Sequence, residues 1–400
     1  MKTTTHTRIG LFLVFGLLIG CDGAGEPEPS TSLSGVVRAS ETNMPVSGVE
    51  VSTGAFQATT GADGRFEFLD VPEGPRTIVA TADGYDAYSS VITIQEGDNT
   101  HDILLDLESL YTFATDEVDF ALYLKPETQT FRGVLFLVAG SSNQSLDFVY
   151  GEDVWATNLS FVDTREEFLD LADRYSLAVM GADTHDNTGL SARRDVFLAL
   201  EAFADGTGHA ELAEAPILLD GFSLGGCFAY DVTTDTPERI VGFITQKGGC
   251  HAELDRGPAK FVPGYLFIGE NDLASRFDNI TAAFEVNRLG GALWSVAEQP
   301  AVGHDFVELT GSGRNLTTRW MEAVLDLRLP PLPPPGDPVV LNPIDEASGW
   351  LGNRETFEIA AYECYTEDKL QASWLPTMAT AQQWQAFVSG GSVTTIVACI

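Results

Sequence analysis

The chain has 400 residues, of which 58 are acidic and 22 basic, giving a formal net charge of −36 beside an ordinary apolar content of 44%. That length exceeds one core of usual size, so two or three folded units are expected, and the apolar content excludes a disordered chain. So acidic a surface repels phosphate backbones and argues against nucleic acid as a partner; it keeps an exported protein soluble without naming a substrate.

At the N-terminus, Lys2 and Arg8 precede an apolar run from Ile9 to Ile19. The run is too short to span a bilayer as a mature helix and has the layout of an export signal. It ends in Leu18-Ile19-Gly20-Cys21, followed by a stretch of Gly, Glu, Pro and Ser that reads as a flexible tether over residues 22–32. The Leu-Ile-Gly-Cys run resembles the lipobox of bacterial lipoproteins. The resemblance implies cleavage before Cys21, lipid attached to it, and a place in the bacterial cell envelope on the periplasmic or outer surface of a membrane. The alternative is a secreted protein in which Cys21 is incidental.

Residues 33–107 alternate short runs rich in Val, Ile, Thr and Phe with turn signals such as Ala62-Asp63-Gly64 and Pro72-Glu73-Gly74, and show no helical periodicity. This is the pattern of an antiparallel β-sandwich. The segment resembles the carboxypeptidase regulatory-like module in Ser34-Gly35-Val36-Val37, Pro45-Val46-Ser47-Gly48-Val49, Thr60-Gly61-Ala62-Asp63-Gly64-Arg65-Phe66 and Ala82-Asp83-Gly84-Tyr85. Such modules are spacers or adhesion units, so the resemblance implies a stalk and no peptidase activity.

From 108 to 328 apolar runs alternate with amphipathic stretches, which predicts an α/β unit: a mostly parallel sheet with helices on both faces. Strands are expected at 118–124, 133–138, 177–181, 217–220, 240–245, 265–269 and 293–297, and helices at 165–175, 192–204, 224–230, 280–287 and 316–327. Leu329 to Pro338 is packed with proline and marks a stiff linker. The remainder, 339–400, carries Trp350, Trp374, Trp384 and two cysteines, enough for a small disulfide-tied C-terminal appendage in which the tryptophans form a core in preference to a sugar-binding surface. Setting Cys21 aside leaves Cys227, Cys250, Cys364 and Cys399, an even number in a compartment where disulfides persist. Three pairings are open; the local ones, Cys227 with Cys250 and Cys364 with Cys399, are expected because each stays within one domain. No metal-ligand spacing occurs among them.

The chemistry centres on Gly221-Phe222-Ser223-Leu224-Gly225-Gly226, which follows the strand-like run Pro216 to Asp220 and opens a helix. A serine hydroxyl is a weak nucleophile and needs an exposed turn with a base in reach; small residues on either side let strand and helix approach around it. The unit resembles the alpha/beta-hydrolase superfamily, whose chain order is serine, acid, histidine. On that order His304, in Val302-Gly303-His304-Asp305-Phe306, is the base. Asp272, closing Phe267-Ile268-Gly269-Glu270-Asn271-Asp272, is the acid. Glu270 and Asp278 compete for the acid role, while His251 comes too early and Asp305 is too close to His304. An oxyanion hole needs two fixed donors, assigned to the backbone of Leu224 and, after the strand ending at Val138, of Ser141. Asp183, His185 and Asp186 follow another strand and are candidates to line the pocket.

These roles amount to acyl transfer to water with no cofactor and no metal. Little sequence between Gly249 and Pro263 is free to form a large lid, which makes the core most similar to the polyhydroxybutyrate depolymerase and feruloyl or acetyl esterase branch, and an open site admits bulky or polymeric esters. The rival readings are a serine peptidase, disfavoured because no propeller domain is present, and a surface adhesion or binding lipoprotein on an inactive hydrolase scaffold.

Overall fold

The computed structural model describes residues 31–40, 43–82, 85–106, 109–126, 128–140, 144–150, 161–185, 187–250, 255–305, 311–331, 339–397 and 399. The export signal, Cys21, all of the tether but its last two residues, Ser141, Asp186, His251 and most of the proline-rich linker lie outside them. Two compact units divide the chain, Met1–Ser109 and Leu110–Ile400.

The first unit is built from β1 (Ser32–Ala39), β2 (Glu50–Thr53), β3 (Phe56–Thr59), β4 (Arg65–Leu69), β5 (Gly74–Thr81), β6 (Tyr88–Ile94), β7 (Asp98–Thr100) and β8 (Ile103–Leu105). One sheet orders β4-β1-β7 with β8 also on β1, and the other orders β3-β2-β5-β6. Alternation sets the inner faces: in β4, Phe66 and Phe68 are buried while Arg65, Glu67 and Leu69 are exposed. Leu33, Val37, Val51 and Ile78 complete a core shared by both sheets.

The second unit holds an eight-stranded sheet of β9 (Leu110–Ala114), β10 (Asp119–Tyr123), β11 (Gly133–Val138), β12 (Leu177–Asp183), β13 (Ile217–Phe222), β14 (Ile240–Gln246), β15 (Gly264–Gly269) and β16 (Trp294–Gln299). Their order is β16-β15-β14-β13-β11-β12-β10-β9. The six strands from β11 to β16 are parallel, and β10 runs antiparallel to both β12 and β9. The helices are α1 (Gln144–Tyr150), α2 (Phe161–Tyr175), α3 (Leu190–Thr207), α4 (Leu224–Asp235), α5 (Ala274–Leu289), α6 (Gly311–Arg328) and α7 (Met378–Val388). Strand β11 is buried along its whole length, as a central strand covered on both faces must be. Val134, Phe136 and Val138 join α3, α4 and α5 in one core; Leu135 and Leu137 join α1, α2, α6 and α7 in the other. This is the alpha/beta-hydrolase architecture, with an all-β sandwich before it. No helix among the described residues is long and apolar enough to cross a membrane.

The C-terminal appendage has no core wholly its own. Its short strands β17 (Trp350–Gly352), β18 (Ile359–Ala361), β19 (Ser373–Leu375) and β20 (Ile396–Val397) form a sheet in the order β19-β17-β18-β20. Trp384 and Phe387 of α7 bury into the α6 face of the large sheet. An edge strand exposes a row of backbone groups that must find partners. At Val296 of β16 the Ser373 hydroxyl takes the amide N–H at 3.1 Å, and the carbonyl accepts from that hydroxyl and from the Trp384 indole at 2.8 Å. Arg288, fully buried, donates to the carbonyls of Ala372 and Lys369 and to Glu346. Disulfides join Cys227 to Cys250 and Cys364 to Cys399, the local pairing expected from the sequence.

Candidate active site

Three parallel strands deliver the site from their C-terminal ends. Ser223 follows β13 directly and caps α4 with φ 55° and ψ −118°, a backbone that L-residues rarely adopt. The turn survives because its flanks lack side chains. A Cβ on Gly221 would lie 2.1 Å from the Gly225 carbonyl oxygen, and one on Gly225 would lie 2.0 Å from that of Val138. The Ser223 amide is tied to the Gln246 carbonyl at 2.8 Å, so the turn is braced against β14.

His304 arrives on the loop after β16. Its Nε2 is 2.8 Å from Ser223 Oγ and its Nδ1 is 2.7 Å from Asp272 Oδ2. A carboxylate only accepts, so Nδ1 carries the imidazole proton and Nε2 presents its lone pair to the serine hydroxyl. The Phe222 ring lies 5.0 Å from the imidazole, centre to centre, and walls one side. Asp272 follows β15, with its side chain only 3% exposed. Its second oxygen accepts from the Leu273 amide at 2.7 Å and from Arg276 at 2.8 Å. Burial alone pushes this carboxyl up, but the hydrogen bonds from His304, the Leu273 amide and Arg276 outweigh it and hold the group below the ordinary carboxylate range.

Residues 32–107 match the carboxypeptidase regulatory-like domain family. The N-terminal unit carries a carboxypeptidase regulatory-like domain. No curated protein matches the chain. Among solved structures the chain is similar to a thermostable esterase, at 12% identity and TM-score 0.40 over 75% of this chain and 99% of that one. It is also similar to poly(aspartic acid) hydrolase-1 from Sphingomonas sp. KT-1, at 11% and 0.37 over 52% and 98%. A Pyrobaculum calidifontis esterase is similar at 13% and 0.38 over 54% and 85%. Overlaps this loose carry no functional argument; the function is read from the site.

The remaining expected residues sort by position. Leu224 opens α4, where a backbone N–H has no intrahelical partner. Ser141 lies outside the described residues; its neighbour Gly140 abuts Ser223, since a Cβ there would be 3.2 Å from Ser223 Cβ. Of the competing acids, Glu270 accepts the Ala301 amide at 2.5 Å and Asp278 is exposed on α5. His185 pairs with Asp119 at 3.2 Å and with Asp183 at 3.8 Å. Asp305 turns its carbonyl to the Lys247 side chain. Arg276 escaped the sequence reading, although its place four residues after Asp272 at the start of a helix was the available signal.

A separate cleft of about 850 Å³ lies between α5 and the C-terminal segment, with Phe277, Phe284, Glu298 and Trp384 in its walls. Ser223, Asp272 and His304 do not line it. Among the described residues no group of three or more His, Cys, Asp and Glu side chains is arranged to hold a metal ion.

Proposed function

We propose that the chain is a serine hydrolase that cleaves carboxylic esters through an acyl-enzyme at Ser223. The observation that carries this reading is the continuous relay from Ser223 Oγ through both nitrogens of His304 to a buried, multiply hydrogen-bonded Asp272. His304 Nε2 takes the hydroxyl proton as Ser223 attacks the ester carbonyl, then returns it to the departing alcohol. Asp272 keeps the imidazole in the tautomer that makes this possible and stabilises the imidazolium between the two steps, without taking the proton. The oxyanion is held by the Leu224 amide and by a backbone donor from the loop after β11, assigned to Ser141. Water enters by the same proton path and releases the acid.

The short stretch between Gly249 and Pro263, too little sequence for a large lid, favours bulky or polymeric esters, in the manner of the depolymerase and feruloyl esterase branch that the sequence resembles. On this reading the enzyme works at the bacterial cell envelope, held by lipid on Cys21, with the regulatory-like module as a stalk. A panel of chromogenic esters from acetyl to long acyl and feruloyl, given to the soluble form lacking residues 1–21, tests the activity. Turnover abolished in Ser223→Ala supports the mechanism, and the best acyl group narrows the substrate. A folded enzyme inert to every ester sinks the esterase reading.

A further inference from the structure

We infer that Lys247 is a positioning residue that fixes the histidine loop relative to the nucleophile turn; the inference rests on the serine hydrolase reading of the same site. Three consecutive residues at the C-terminal end of β14 touch both halves of the relay. Gln246 accepts the Ser223 amide with its carbonyl at 2.8 Å. Gly248 brings bare backbone against the turn: a Cβ there would lie 2.8 Å from the Ser223 carbonyl oxygen and 2.7 Å from the Cys227 nitrogen. Lys247, between them, reaches the histidine loop instead. Its side-chain nitrogen donates to Gln299 Oε1 at 2.9 Å and to the carbonyl of Asp305.

Those two acceptors bracket the stretch Pro300–His304, since Gln299 ends β16 and Asp305 directly follows the histidine. One nitrogen therefore ties both ends of the segment that carries the base. Within it Ala301 has φ 60°, and its amide donates to Glu270; the Val302 carbonyl accepts from Asn271 at 2.9 Å. The loop thus rests on the end of β15 along its middle and on Lys247 at its ends.

Lys247 is fully buried and its own φ is 58°, in the left-handed region, with its amide held by the Phe267 carbonyl at 2.9 Å. Lysine is almost never fully buried without polar partners, and an apolar side chain of similar length would fill this volume at lower cost. A strained backbone and a buried amine persist where the surroundings over-determine them and the placement has a use. What the nitrogen supplies that methionine would not is a directional grip on the Asp305 carbonyl. A relay held by 2.7 and 2.8 Å hydrogen bonds tolerates little drift, and a displacement of about 1 Å costs on the order of a hundredfold in rate.

Three readouts on the purified soluble enzyme test this. The strongly deshielded imidazole Nδ1 proton of the His304–Asp272 bond is observed by proton NMR and assigned by its loss in Asp272→Asn. Lys247→Met is expected to stay folded by circular dichroism, lose or broaden that resonance, and show kcat on the best ester lowered roughly tenfold to a hundredfold with KM within about threefold. Lys247→Ala should recover part of its kcat and its resonance when propylammonium is supplied, a rescue that restores the nitrogen and not the backbone. Where the first two variants do not fold, Gln299→Leu keeps the lysine, removes one acceptor, and is expected to weaken the resonance with a smaller loss of kcat. A folded Lys247→Met, or failing that a folded Gln299→Leu, with the wild-type resonance and kcat within twofold overturns the proposal. Should wild type turn over no ester, the hydrolase reading fails, and the resonance alone then decides whether Lys247 places His304.

Discussion

The two oxygens of Asp272 serve different ends: Oδ2 orients His304, while Oδ1 is fixed by the Leu273 amide and Arg276. An asparagine keeps the shape but presents a donor where the imidazole needs an acceptor, or forces the other tautomer. Asp272→Asn is therefore expected to lower kcat by about 10³ to 10⁴ with little change in KM, measured on the best ester of the panel. The same group makes a statement about acid stability. Its carboxyl is held below its ordinary value, so its contribution is fully present above the unfolded value of about 3.9 and is lost as pH falls through the lower folded value. Denaturant titrations from pH 6 downward should show wild type losing stability more steeply in that acid window than Asp272→Asn. Ser223, Asp272 and His304 were legible in the sequence because chain order and strand ends locate them. Lys247 was not, because a grip on a loop 58 residues away leaves no pattern in composition or period, and Arg276 left only its spacing of four residues from Asp272.

At the scale of elements, the turn between β13 and α4 is the most constrained piece of backbone in the site. Gly225→Ala would set a Cβ 2.0 and 2.4 Å from the carbonyl oxygens of Val138 and Ala139, both backbone atoms of a central strand and its continuation. Neither can move cheaply, so the variant is expected to express poorly or to lose activity by more than a hundredfold, whereas Gly206→Ala, at an exposed position of α3 with nothing within 4 Å, should be silent. The edge strand β16 makes a second case. Ser373→Ala strips the partner from the buried Val296 amide and is expected to cost about 1–3 kcal/mol in equilibrium unfolding, with KM unchanged. Parallel strands read clearly from their apolar runs; β11 appears at the expected residues 133–138. Strand β9 and helix α1 did not, since the one is a half-exposed edge strand and the other only two turns long. The C-terminal tryptophans read as core residues, and Trp374 and Trp384 are buried. Their composition gave no sign that Trp384 would pack on the large sheet, because burial is a local signal and the partner surface is not.

For the whole molecule, the sandwich and the α/β unit each have a core of their own, and Ser223, Asp272 and His304 all belong to the second unit. If Cys21 is the lipidated first residue of the mature protein, metabolic labelling with an alkynyl fatty acid in a bacterial host should tag the wild type and leave Cys21→Ala untagged and soluble. Tagging of the variant to the same extent contradicts the anchor.

We propose that Ser223 is a nucleophile activated through His304. The most direct measurement is mass-spectrometric mapping of the adduct formed with a fluorophosphonate, beside His304→Ala. A single phosphonylated peptide containing Ser223 is expected in the wild type, with labelling slowed by at least about a thousandfold in the variant. No adduct on Ser223 in folded protein, or equal labelling with and without His304, would contradict it.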